Sequence, residues 1–379
     1  MVNSNANALG FIFPNSYDVL VPELVNERLM ASIPFAGRYR MVDFVLSSMV
    51  NCGIDNISIL VRSNYHSLMD HLGSGREWDL TRKNGGLSIF PPYAEKNMKL
   101  YSGRVEALYS IMDTLKDQKE KYVVIADTNI AVNFDFKAMM KAHIESGADV
   151  TVAYKKEAIP AGLKKNDSTS NFYYTLKIED GKVKKFYMNS DADGIQNLDM
   201  NIYIIGREKL IELIKEAFMR GYLYFERDIL STKVNELDIQ AYEFTGYTAR
   251  ISDMKSYFDE NMKLLKDENL DGLFEASPIY TKIRDDNPTR YIDGAKVKNA
   301  LVSDGCVIEG IVENCVLSRG VKIAKGAKVK NCVLMQDTVV EAGANLEYVI
   351  TDKDVTISVA QELHGTDSFP VYVAKGRTV

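Results

Sequence analysis

This chain is poor in the residues that anchor metals and cross-links. Of its 379 residues only four are cysteine and four are histidine. Cys52, Cys306, Cys315 and Cys332 form no C-x-x-C pair, and three of them fall in a repetitive stretch near the end of the chain. That excludes a disulfide framework, and the thiols read as buried and reduced. His66 and His71 stand five apart without a third ligand, which excludes a zinc site there. No apolar run reaches the ~18 residues that span a bilayer, and no Arg-rich or apolar leader opens the chain. It therefore reads as cytoplasmic, with no membrane contact. A net charge of −6 leaves no basic excess for a nucleic-acid face, though it allows local pockets for small phosphates. Its length exceeds what one domain usually holds, so two are expected.

What is present divides the chain in two. Up to about residue 250, short apolar runs alternate with amphipathic stretches. Ala8-Leu-Gly-Phe-Ile-Phe13 ends at Pro14 and reads as a buried strand. Ile57-Ser-Ile-Leu-Val61, Tyr122-Val-Val-Ile-Ala126 and Asp149-Val-Thr-Val-Ala-Tyr154 read likewise. Residues 42–50 have helical spacing and end at Asn51-Cys-Gly53, a C-cap signal, and 136–143 is also helical. Strand–helix alternation predicts a mostly parallel sheet with helices on both faces. Ligands of such sheets bind beyond the carboxyl ends of the strands, where Asp127 stands. A charged helix runs to residue 270, and two prolines and five charges between Phe274 and Pro288 mark a linker. The expected division is an α/β domain at 1–270, a linker at 271–291, and a β domain with its tail at 292–379.

From residue 292 the apolar period becomes six. Leu317, Ile323 and Val329 are six apart, and so are Leu334, Val340 and Leu346. Val312-Glu-Asn-Cys-Val-Leu317 recurs as Val329-Lys-Asn-Cys-Val-Leu334 and more loosely as Val297-Lys-Asn-Ala-Leu-Val302. This is the pattern of a parallel β-helix, in which each coil buries a stack it cannot bury alone. A β-sandwich would show a period of two and hairpin turns, which are scarce here. The exposed faces of a β-helix need cover, so it is expected to pack on the first domain or a partner and to support oligomerisation.

Ile33-Pro-Phe-Ala-Gly-Arg-Tyr-Arg-Met-Val-Asp-Phe-Val-Leu-Ser-Ser-Met-Val-Asn-Cys-Gly-Ile54 resembles the P-F-G-G-[KR]-Y-R-[IL]-I-D-F-x-L-S-N-x-x-N-S-G-I segment of ADP-glucose pyrophosphorylases (glucose-1-phosphate adenylyltransferases). Tyr65-His-Ser-Leu-Met-Asp-His-Leu-Gly73, Trp78-Asp-Leu80 and Pro278-Ile-Tyr-Thr281 extend the resemblance over essentially the whole chain. It implies a nucleotidyltransferase-type, Rossmann-like sheet domain followed by a left-handed parallel β-helix. It also implies a reaction in glycogen or starch synthesis, in which ATP and glucose 1-phosphate give ADP-glucose and diphosphate.

Such a transfer needs backbone N–H groups around the triphosphate, a cation held by carboxylates, and a basic group for the charge that develops. The family's glycine-rich loop is G-G-x-G-[ST]-R-L-x-P-L-T. Here Gly10-Phe-Ile-Phe-Pro-Asn-Ser-Tyr-Asp-Val-Leu-Val-Pro-Glu-Leu24 keeps only Gly10 of those glycines, with Val19 in the arginine's place. Pro14 has no N–H, and Asp18 and Glu23 would repel phosphate. Met30 replaces the lysine of K-P-A-V-P-F. Asp127 matches the first metal aspartate, but Arg250 stands where the second is expected, and Mg²⁺ needs oxygen ligands. The sugar-phosphate motifs F-x-E-K-P, S-M-G-[IV]-Y and Y-x-G-T-A-D-A-[VI] are altered to Phe186-Tyr-Met-Asn-Ser190, Asp199-Met-Asn-Ile-Tyr203 and Tyr101-Ser-Gly-Arg-Val-Glu-Ala-Leu108. No catalytic residue, metal ligand or cofactor is assigned to this chain. Asp127 is vestigial and reads as a structural strand-end residue. Gly103-Arg104 reads as a turn, or as part of an anion pocket.

The chain is thus similar to the noncatalytic, regulatory-type subunit of the family. The implied partner is a catalytic chain that binds Mg²⁺, in a hetero-oligomer expected to be a tetramer. Arg28, Arg38 and Arg40 are grouped closely enough to hold a phosphate-bearing effector. By the resemblance, C-terminal basic residues complete such a site, here Lys375 and Arg377. Surface or interface ion pairs are the alternative. An active sugar-1-phosphate nucleotidyltransferase with an atypical loop is the competing function, so whether the chain is itself an enzyme stays open. An acyltransferase built on the β-helix is disfavoured, because 292–358 contains no histidine and His364 lies beyond it.

Overall fold

In a computed structural model, which describes residues 6–83, 85–92, 101–165 and 172–379, the first domain is built on nine strands. They are β1 (Ala8–Phe13), β2 (Asn56–Leu60), β3 (Gly86–Phe90), β4 (Tyr122–Asp127), β5 (Val150–Ala158), β6 (Tyr174–Glu179), β7 (Lys182–Met188), β8 (Ile195–Gly206) and β9 (Ile239–Glu243). Their order across the sheet is β3-β2-β1-β4-β8-β5-β9-β7-β6. β1, β2, β3 and β4 pair in parallel, as the alternation of strands and helices predicts. β8 enters antiparallel between β4 and β5, and β7 is antiparallel to β9 and β6, so the sheet is mixed. Apolar periodicity marks β8 as a strand but carries nothing about its direction.

Side chains alternate across these strands. Leu9, Phe11 and Phe13 of β1 join one core with Val123 and Ile125 of β4, while Ala8 and Ile12 join the other with Val124 and Ala126. Helix α1 (Met41–Asn51) covers the second core. Its first turn is closed by Asp43, whose carboxylate accepts the Arg40 N–H at 2.9 Å. α1 packs close over Gly10, where a Cβ would meet the Met49 sulfur at 2.8 Å and that side chain would have to shift.

Helices α2 (Met254–Lys263) and α3 (Asp267–Phe274) follow, and the chain next enters a strand at Arg290–Tyr291. The segment between is fastened to α1: Asn51 donates to the Pro278 carbonyl at 2.8 Å, and Tyr280 N–H donates to Ser47 Oγ at 2.9 Å.

The C-terminal domain is a parallel β-helix, as its six-residue period predicts. Val297, Val312, Val329 and Leu346 stack in register, and so do Ala300, Cys315 and Cys332. Three cysteines are buried in its core and Cys52 is half-buried, all as free thiols. At one corner Asn299, Asn314 and Asn331 all adopt φ near +50°. Asparagine tolerates that region because its short amide bonds locally. Each amide donates to the next Asn Oδ1, at 2.8 and 3.2 Å. In the following coil Tyr348 holds this corner (φ 53°), and its ring packs 6.2 Å from Phe258 of α2. Here the β-helix docks on the first domain. Val316, Val333, Met335 and Ile350 share a core with Phe35, Tyr257 and Phe258. Among the described residues no helix is long and apolar enough to cross a membrane.

Candidate functional site

A cleft of about 110 Å³ opens at the carboxyl ends of β1 and β2, lined there by Phe13 and Leu60, and Asp127 lies beside it, bonded to the lining residues Ser16 and Arg104. The loop after β1 borders it but offers little to a phosphate. The N–H groups of Leu20, Val21 and Leu24 are used within the loop, on the carbonyls of Tyr17, Asp18 and Val21. Asn15 and Asp18 tie it down further. Asn15 Nδ2 donates to Asp18 at 2.7 Å, and the other Asp18 oxygen accepts the Met30 N–H at 2.7 Å. Burial raises the Asp18 pKa to about 6. Met30 itself does not face the cleft; it is packed with Tyr17, Leu20 and Phe35.

Asp127, at the end of β4, is held by two donors. Ser16 Oγ donates to one oxygen at 2.7 Å and the Arg104 guanidinium to the other. The same guanidinium donates to Glu226, in the π-helical turn Phe225–Leu230. Burial opposes the charge of Arg104, but Asp127 and Glu226 outweigh it and raise its pKa. Burial also pushes Asp127 up to about 6, against the pull of Arg104, and Asp199 up to about 7. Asp199 accepts the Tyr203 hydroxyl at 2.5 Å and the Asn201 N–H at 2.9 Å.

Arg250 is buried in the short strand Ala249–Arg250, paired with Ile130–Ala131 just beyond Asp127. It donates to Glu157 at 2.9 Å and to the Asp199 carbonyl at 3.2 Å. Both arginines are therefore committed to protein acceptors. Gly103 and Arg104 line the cleft, and Arg104 opens the helix Arg104–Ser110 instead of sitting in a free turn. Sequence reasoning misses the Arg104–Glu226 pair. The charge introduced at Arg104 within Tyr101–Leu108 is its only signal, and nothing local identifies Glu226.

The basic cluster lies elsewhere, in a pocket of about 220 Å³ between the two domains. Arg38 and Arg40 line it, together with Lys282, Arg284, Arg319 and Lys353. Arg40 donates to the Ser67 carbonyl at 2.6 Å, and Arg319 to the Lys282 carbonyl at 2.9 Å, leaving the buried Arg319 Nε without a partner. Burial, together with Arg40 and Arg28 nearby, brings Lys353 down to about 7. Burial lowers Arg40 to about 10.

Arg28, Lys375 and Arg377 are not among the lining residues. Arg28 is buried behind the pocket, donating to Asp352 at 2.8 Å across the domain seam. Lys375 pairs with Glu27 at 3.1 Å on the surface. Arg377 is exposed, and its carbonyl accepts the Thr356 N–H at 2.9 Å. The β-helix contributes Arg319 and Lys353 instead. Removing one partner of a buried ion pair strands the other, so Arg28→Met is expected to destabilise the chain by about 3–5 kcal/mol. Denaturant unfolding measures this, and Arg28→Met/Asp352→Leu is expected to recover most of the loss.

Comparison with known proteins agrees with this architecture. The Nucleotidyl transferase family matches residues 24–264, and the GlmU-like C-terminal hexapeptide family matches 284–368. The glycogen biosynthesis protein GlgD of Bacillus subtilis (strain 168) is 37% identical over 374 residues, 98% of this chain and 97% of that protein. GlgD of Geobacillus stearothermophilus is 37% identical over 331 residues, covering 86% and 83%. The glucose-1-phosphate adenylyltransferase of Bacillus mycoides (strain KBAB4) is 32% identical over 303 residues, 79% of each chain. A chain that follows one GlgD protein almost end to end, and the adenylyltransferases over most of their length, belongs to the glucose-1-phosphate adenylyltransferase family.

Proposed function

We propose that this chain is a regulatory, catalytically deficient subunit of glucose-1-phosphate adenylyltransferase in glycogen biosynthesis, modulating a catalytic partner that binds Mg²⁺ and carries out the transfer. The observation that carries this reading is the state of the cleft. Its strand-end carboxylate, Asp127, is bonded to Arg104, and Arg250 is bonded to Glu157. The two chains form a hetero-oligomer, a tetramer in this reading.

A chain without an active site can alter its partner only by favouring one of the partner's conformations, an effect typically of ~1–3 kcal/mol, or 5–150-fold in affinity. The basic pocket supports a regulatory input. Its cations come from both domains, so a phosphate-bearing effector bound there bears on how the domains sit together. The test is steady-state ADP-glucose synthesis by the catalytic chain with and without this one, at matched active-site concentration. Co-assembly is expected to raise activity or change the effector response. Unchanged kinetics in a verified mixed complex would leave only a scaffold role.

A further inference from the structure

We propose that Arg104 is a resident cation that closes the cleft to divalent metal, and that exchanging its guanidinium for a neutral side chain turns Asp127 and Glu226 into a divalent-cation site. The inference stands on the cleft alone and not on the regulatory reading.

Three separate segments meet at this guanidinium: the end of β4 through Asp127, the start of the helix Arg104–Ser110, and the turn Phe225–Leu230 through Glu226. Both carboxylates are buried, and one planar cation serves both. Bridging two buried carboxylates is also what a small divalent ion does, using oxygen ligands and water to complete its shell.

The guanidinium is fixed in place from two sides. It lies 5.1 Å from the centre of the Phe13 ring. The backbone behind it is pressed onto the segment leading to Glu226: Val105 N–H donates to the Leu223 carbonyl at 3.1 Å, and a Cβ on Gly103 would meet that carbonyl oxygen at 2.1 Å. The backbone at Arg104 therefore cannot retreat from the cluster, and its guanidinium is held there by Asp127, Glu226 and the Phe13 ring.

Two further observations indicate what its removal would leave. Asp199 stands near the same cluster but is bonded to the Tyr203 hydroxyl and the Asn201 N–H, so Asp127 and Glu226 are the two carboxylates that Arg104 pairs with. The Tyr174 hydroxyl lines the cleft, is buried, and has no hydrogen-bond partner, so it is available to an ion-bound water. As built, no group of three or more Asp, Glu, His or Cys among the described residues is placed to hold a metal.

The test uses the full chain and Mn²⁺ alone, with bound metal read from the electron paramagnetic resonance of free Mn²⁺ and stability from thermal melting. Wild type is expected to take up no Mn²⁺ in the cleft, with its melting temperature unmoved. Arg104→Ala is expected to melt lower, to bind one Mn²⁺ at least ~10-fold more tightly than wild type, and to regain melting temperature as Mn²⁺ rises. Adding Glu226→Gln to that variant should abolish both responses. Should Arg104→Ala not fold, Arg104→Gln, which keeps the side chain's length, carries the same titration. Equal Mn²⁺ binding by wild type and variant, or no binding by a folded variant, overturns the proposal. Binding that survives Glu226→Gln overturns it too.

Discussion

Purified alone and given ATP, glucose 1-phosphate and Mg²⁺, the chain is expected to form ADP-glucose at least ~10³-fold more slowly than a catalytic member of the family. Loss of a single preorganised group that stabilises developing charge costs about 10²–10³ in rate. Here several are replaced, although such losses do not simply multiply. The N–H groups of Asp18, Leu20, Val21 and Leu24 are bonded within the loop, and Asp127 is bonded to Arg104. Arg250→Asp alone is expected to stay at background. It restores a carboxylate in sequence but leaves Arg104 on Asp127 and Asp18 across the loop, and it removes the partner of Glu157. Turnover by the unmodified chain within about tenfold of a catalytic subunit would sink this reading and favour an active enzyme with an atypical loop.

The parts of the molecule legible in the sequence are those set by nearest neighbours along the chain. Helical spacing at 42–50 yields Met41–Asn51, and the run Tyr122–Ala126 yields β4 with Asp127 at its end. The six-residue period yields the β-helix because each coil repeats one local environment. What stays hidden depends on contacts between distant positions. Arg104 and Glu226 are 122 residues apart; Arg104 taken alone reads as part of a turn or an anion pocket, and no local pattern singles out Glu226. Arg28 and Asp352 are 324 apart, so an arginine grouped in sequence with Arg38 and Arg40 is buried in a seam instead. The resemblance points to the tail, at Lys375 and Arg377, for the β-helix half of the basic pocket. The turn of the coils presents Arg319 and Lys353 there, and a hexapeptide period marks which residues face inward but not which exposed ones face the other domain.

Sulfate, which keeps its two charges throughout the range used, should bind the basic pocket more tightly as pH falls from about 9 to about 6. The group responsible is Lys353, lowered to about 7 by burial and by Arg40 and Arg28. Above that value it is largely neutral and contributes little to an anion; below it, the ammonium is present. A bound dianion favours the charged form and raises the pKa. Affinity therefore grows on acidification through the interval between the bound and free values, by about tenfold for each pH unit that the interval spans, and levels off below the free value. Arg40, near 10, stays charged across this range. His71 faces the same pocket, but burial lowers its pKa, and Asp70 is lowered by its bond to Lys282, so neither supplies the transition. Arg40→Ala should weaken sulfate binding about 10–100-fold at the acid end, the worth of one charge-assisted hydrogen bond of ~1.5–3 kcal/mol, and should move the Lys353 transition to higher pH, because Arg40 helps hold that amine down. Lys353→Met should instead flatten the pH dependence while leaving the high-pH affinity nearly unchanged. The two variants separate a fixed charge from a titrating one, and calorimetric titration reads both. A wild-type affinity that is flat between pH 9 and 6, or unaffected by Arg40→Ala, would mean that anions do not occupy this pocket and that its cations serve the seam between the two domains.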